Sequence, residues 1–187
     1  MRNLIFLDVE TGGLKPNIHG LCSIYLKDTY EGCDWGYDFY PQKKVYDYSA
    51  FKVNGFNLET LYKIGSSRER LIELIGDLAK RNQYLIFCGW NVQFDIDFIL
   101  QVYREKREKL PCPILALDLC EIAKKNIKKK DLRKKEDVGV ENHKLTTVYQ
   151  YLFDDFQKEK AHTAQYDVEM VEKLFLQFEK FGWIDKL

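Results

Sequence analysis

Tyr84-Leu85-Ile86-Phe87-Cys88 is an almost unbroken apolar run with a helical pattern on each side of it. A run that short and that apolar reads as a strand buried on both faces, which requires helices above and below a sheet. Ahead of it, Leu71, Ile72, Leu74, Ile75, Leu78 and Ala79 keep helical spacing to about residue 82, behind the capping-box pattern Ser66-Ser67-Arg68-Glu69. After it, Asn91 stands where a helix cap belongs, and Phe94, Phe98, Ile99 and Val102 follow on one face. Further strands are expected from Leu4 to Val9, from Cys22 to Lys27, across Trp35, Tyr37 and Phe39, and from Pro111 to Leu117. A short helix is expected from Lys144 to Phe153 and a long one from Thr163 to Phe181, while residues 41–65 read as loop with short helical turns. The pattern predicts an α/β fold: a five-stranded mixed sheet, part hairpin meander and part parallel crossover, flanked by helices.

With 187 residues, no repeat and no linker, the chain is expected to form a single domain over 1–187. Lys+Arg and Asp+Glu both number 29, which excludes a globally basic protein but not a local basic patch. The five cysteines are odd in number with no C-x-x-C pair, and only three histidines accompany them, so disulfide frameworks and zinc modules are not expected. The start MRNLIFLDVE has too short an apolar run for a signal or a membrane span, and a cytoplasmic protein without membrane attachment is expected. Neither a Gly-rich phosphate loop ending in Gly-Lys-Ser/Thr nor a Gly-x-Ser-x-Gly elbow occurs. Chemistry is therefore sought among the carboxylates.

Asp8 and Glu10 end an apolar strand, and side chains two apart on a strand leave from one face. Asp95 lines up with Phe98, Ile99 and Val102 on its helix, whereas Asp97 falls on the wet side with Gln101 and Arg104. Asp167 repeats the pattern with Val171, Leu174 and Phe178. Taken alone, Asp-x-Glu at a strand end is a turn feature, and an acid in a first helical turn simply suits the helix dipole. Three such coincidences, all facing a core, weigh more. Burying an ionised carboxylate costs several kcal/mol or more unless a positive partner meets it, and no Lys or Arg stands at a matching inward position nearby. A metal fits instead. Oxygen ligands without Cys or paired His select Mg²⁺ or Mn²⁺ over zinc, and four acids can neutralise two ions about 3.5–4 Å apart, as in phosphoryl-transfer sites. His162, just before the last helix with Thr163 as its cap, is placed to act as a general base if the carboxylates form a site.

These residues resemble the three motifs of the DEDD exonuclease superfamily. Phe6-Leu7-Asp8-Val9-Glu10-Thr11-Gly12 is similar to the first, Asn91 to Ile99 to the second (Asn-x-x-Phe-Asp-x-x-Phe-Leu), and His162-Thr163-Ala164-Gln165-Tyr166-Asp167 to the third in its histidine version. The chain is accordingly identified as a member of the DEDDh, or DnaQ-like, 3′→5′ exonucleases. That resemblance implies a ribonuclease H-like fold, two Mg²⁺ ions for which Mn²⁺ substitutes, Asp8, Glu10, Asp95 and Asp167 as metal ligands, and His162 as the base acting on water. It implies terminal-nucleotide contacts from Thr11, Gly12, Asn91 and Phe94. Asn54, in a segment that carries His in proofreading relatives, and Leu14, one position beyond the usual wedge, join them. Single-stranded 3′ ends are the implied partner, DNA ahead of RNA, in proofreading, repair or degradation and with a polymerase as a candidate partner. An exoribonuclease, and a catalytically silent nucleic-acid- or polymerase-binding module, are the alternatives, the second opposed by the complete acid set. Asp118 at the end of the fifth strand reads as structural. Eight Lys/Arg between Lys124 and Asp137 form the one dense basic run, equally readable as a phosphate contact and as a solvated loop.

Overall fold

Alternation along the first strand decides which helices cover which face of the sheet. The computed structural model describes residues 4–42, 44–130 and 138–184. Its elements are β1 (Leu4–Thr11), β2 (Leu21–Asp28), β3 (Cys33–Asp38), α1 (Tyr48–Asn54), α2 (Leu58–Ile64), α3 (Glu69–Lys80), β4 (Leu85–Gly89), α4 (Val92–Lys106), β5 (Ile114–Asp118), α5 (Leu119–Asn126), α6 (Leu145–Leu152) and α7 (Ala164–Lys180). The sheet runs β3-β2-β1-β4-β5, antiparallel across the β1–β2–β3 meander and parallel from β1 through β4 to β5. This is the five-stranded mixed sheet expected from the sequence.

Ile5, Leu7 and Val9 of β1 face α3 and α4, together with Ile24, Leu26, Leu85 and Phe87. Leu4 and Phe6 face the other way, with Ile86 and Cys88, against α5, α6 and α7. β4 is buried throughout, as its apolar run requires. Phe6 meets Phe175 of α7 edge-on, ring centroids 5.5 Å apart, which seats α7 along β1. Among the described residues no helix is long and apolar enough to cross a membrane.

Four local expectations are corrected. The Ser66–Glu69 capping box does not form: Arg68 is already in the right-handed helical region, and Glu69 bonds Lys106 of α4 and Ser67 instead. Asn91 is the N-cap of α4, but in a left-handed conformation and without a side-chain cap hydrogen bond; its own N–H donates to Asp118. Residues 41–65 contain two seven-residue helices rather than mostly loop. The basic run does not begin in a loop either, since Lys124 and Lys125 lie in the last turn of α5. α5 begins directly at β5, capped by the Asp118 carboxylate, which accepts from the N–H of Cys120.

Phe6→Ala opens a cavity beneath α7 and is expected to cost about 3–5 kcal/mol. Urea unfolding, with the midpoint shifted and the slope unchanged, measures it.

Candidate active site

β1 and β4 stay paired only from Leu4 to Phe6, against Ile86 to Cys88, so the sheet opens at the carboxyl end of β1. The site is built in that opening. Asp8 and Glu10 project there on the α7 side, and Asp167 descends from the first turn of α7. One carboxylate oxygen from each lies within 4.8 Å of the others. Asp95 arrives from the first turn of α4 on the opposite side of the sheet. Its Oδ1 accepts the N–H of Val9 at 3.0 Å, a backbone donor that β4 no longer pairs, and only 3% of the residue is exposed. Asp95 thus borders the three-oxygen group, with its charge felt by Asp8, rather than sitting inside it.

Burial and mutual repulsion make these acids unusual. Loss of water first, then the charges of Asp95, Asp167 and Glu10, lift Asp8 well above the ordinary carboxylate range. Asp95 is lifted mainly by burial, against the stabilising hydrogen bonds it accepts. Glu10 is pushed up to about 8 by burial and by Asp167, with the Asn54 side chain working the other way. Asp167 rises to about 6 through burial, moderated by His162. Among the described residues no ion pair joins a Lys or Arg to any of the four. A hard divalent cation suits this donor set: the ligands are oxygen only, they repel one another, and a cation would relieve that repulsion.

His162 stands at the rim. Its backbone is left-handed (φ 64), and its N–H donates to Asp167 Oδ1 at 3.3 Å. Thr163 caps α7, its hydroxyl accepting the N–H of Tyr166. Glu10 forms the floor between two hollows. One, of about 490 Å³, is walled by Tyr25, Asn54, Phe56, His162 and Thr163. The other, of about 370 Å³, is walled by Thr11, Leu14, Val53 and Asn54.

The remaining predicted contact residues divide. Asn54 ends α1, donates to the Thr11 carbonyl at 3.1 Å and lines both hollows. Thr11 closes a turn onto the Gly13 carbonyl, and Leu14 is 79% exposed beside it. Gly12 is fixed by crowding, since a Cβ there would lie 2.5 Å from the Tyr46 ring. Asn91 and Phe94 line neither hollow: Asn91 is tied to Asp118, and Phe94 packs on Phe98. Asp118 is structural, as expected, holding the N–H groups of Asn91 and Cys120 with one oxygen. Of the basic run, residues 131–137 lie outside the described residues, and Lys124 pairs with Glu121.

Sequence reasoning missed Tyr25 and His19. Tyr25 is the register partner of Asp8, and its alternation with buried Ile24 and Leu26 was a signal that it shares that face. His19 offers no such signal. Its ring accepts the Lys15 N–H at 2.9 Å and meets Asp47 at 3.1 Å, tying the loop that carries Leu14 to the start of α1.

No protein-family model and no curated protein sequence matches the chain. Solved structures do. Over 97% of this chain it is similar to the zinc-bound form of E. coli exonuclease I in complex with single-stranded DNA, with a TM-score of 0.76 at 15% identity. Over 96% it is similar to E. coli exonuclease I bound to a dA16 oligonucleotide (TM-score 0.76, 15% identity) and to a dT13 oligonucleotide (0.74, 14%). The chain spans 41% of the length of each of those chains. Its architecture is therefore the ribonuclease H-like α/β fold, with a five-stranded mixed sheet at its centre.

Because these carboxyls titrate higher folded than unfolded, the folded chain holds protons that the unfolded chain releases. Their contribution to stability is then greatest at low pH and is lost as pH rises through about 6 and about 8. In EDTA the thermal midpoint should be higher at about pH 5 than at about pH 8.5, and Glu10→Gln should flatten the difference. Added Mn²⁺ should raise the midpoint mainly at the higher pH.

Proposed function

We propose that this chain is a metal-dependent 3′→5′ exonuclease of the DEDDh type, releasing nucleoside 5′-monophosphates from single-stranded DNA ends. The observation that carries the reading is the convergence of Asp8, Glu10 and Asp167 beside Asp95, with His162 on the rim of the same open cleft. The likeness to structures of exonuclease I bound to single-stranded oligonucleotides supports the choice of DNA. Two Mg²⁺ ions, replaceable by Mn²⁺, would be held by Asp8, Glu10, Asp95 and Asp167, and when bound supply Lewis-acid polarisation of the phosphodiester and offset the acids' charge.

The residues of the chain do the rest. His162, exposed and lining the cleft, takes the proton of the attacking water. Asp167 accepts the His162 N–H and so fixes the turn that presents the ring. Asn54 steadies Glu10 and braces Thr11 at once, linking the acid group to the nucleotide-facing wall. Thr11, Gly12 and Leu14 bear on the terminal nucleotide, with Leu14 as the apolar side chain against its base. Asn91 and Phe94 act from behind, by holding the start of α4 and therefore Asp95.

The test is 5′-labelled single-stranded DNA and RNA of matched sequence, incubated with protein and Mg²⁺ or Mn²⁺. A ladder shortening from the 3′ end, abolished by EDTA and by Asp8→Ala, is expected, with DNA degraded faster. No ladder on either substrate would leave a binding module as the reading. His162→Ala is expected to retain Mn²⁺ binding by calorimetry and to lose about 10²–10⁴-fold in turnover.

A further inference from the structure

Helix α1 carries Tyr48, Phe51 and Val53 and buries none of its residues. Tyr48 is 84% exposed. Gly55, in the left-handed region at φ 72, turns the chain into α2, which buries only Leu61 and leaves Tyr62 and Ile64 outward. Contiguous apolar surface of this kind marks a place where something binds. Here it is shaped: a groove of about 490 Å³ is lined by Tyr46, Tyr48, Phe51, Lys52, Phe56 and Leu58. The Tyr46 and Phe51 rings brace each other at 5.5 Å, so one wall is preformed. Phe56 is a wall of this groove and also of the cleft that contains Glu10 and His162. Lys52, in the last turn of α1, makes no ion pair among the described residues.

We propose that this groove is a second nucleobase subsite, taking a base of the single strand upstream of the 3′ end held in the cleft. The inference rests on the exonuclease reading and extends it. Aromatic walls accept the face of any base, and a lysine at the rim meets backbone phosphate without reading sequence. An aliphatic protein segment would gain nothing from that lysine, and the shared Phe56 wall places the groove beside the cleft rather than on a separate face. The subsite serves grip, and sets how affinity grows with strand length.

Binding is measured by fluorescence anisotropy with labelled thymidine oligonucleotides, from the dinucleotide upward, in Ca²⁺ to limit turnover. Tyr48→Ala should weaken long strands about tenfold and leave the dinucleotide unchanged, with Tyr48→Trp restoring the affinity. Lys52→Gln should make the salt dependence for long strands shallower by about 0.7 in log–log slope. Hydrolysis of the p-nitrophenyl ester of thymidine 5′-monophosphate with Mn²⁺ should be unaltered in each variant. Phe51 is left intact because it supports Tyr46. Equal long-strand affinity in wild type and Tyr48→Ala overturns the subsite, as does a loss shared by dinucleotide and ester, or a change in oligomeric state instead of DNA affinity. If the wild-type protein cleaves neither ester nor strand, the exonuclease reading itself has failed, and the subsite falls with it.

Discussion

Repulsion among Asp8, Glu10, Asp95 and Asp167, sharpened by their removal from water, is the force that the surrounding elements have to withstand. β1 withstands it by being paired on both sides at Ile5 and Phe6, before the sheet opens. α7 withstands it through Phe175 against Phe6, which precedes Asp8 on the same face of β1. Asp95 turns part of the problem into a bond by accepting the Val9 N–H. Asp95 and Asp167 also sit in the first turns of α4 and α7, where the helix dipole favours negative charge. The apolar core and the polar site are thus one construction, the first holding the second together.

Much of this was legible in the sequence, because it depends on periodicity. Two-residue alternation put Asp8 and Glu10 on one face, helical spacing put Asp95 and Asp167 inward, and the unbroken run at 84–88 placed β4 between helical layers. What was not legible depends on three-dimensional competition. Ser66–Glu69 has the letters of a capping box, but Lys106, distant in sequence, draws the glutamate away. Asn91 has the letters of a cap, but Asp118 holds its backbone in a left-handed turn. Helices α1 and α2 lack the buried stripe that makes a helix visible in sequence, so residues 41–65 read as irregular. Part of the cleft wall, Val53, Asn54 and Phe56, comes from that same region, and only Asn54 of the three was foreseen.

The division of labour follows from burial. The carboxylates stand on β1, α4 and α7, whose apolar faces form the two core clusters. The facing wall stands on α1 and α2, which contribute almost nothing to the core. Substitutions in the wall cost little stability, whereas substitutions near the acids strain the sheet.

His162 has a left-handed backbone, a conformation that residues other than Gly, Asn, Asp and His seldom adopt. Among those four, only His carries a group able to take up a proton near neutrality. The turn therefore admits a narrow set of replacements, nearly all of them inert as bases. A descendant chain with Asn or Gly at 162 would keep the turn, the helix cap and the acidic cluster while losing the imidazole to which the proposed function gives the activation of water. If the exonuclease reading proposed above holds, the distance on this fold between a nuclease and a protein that only holds its strand is a single codon.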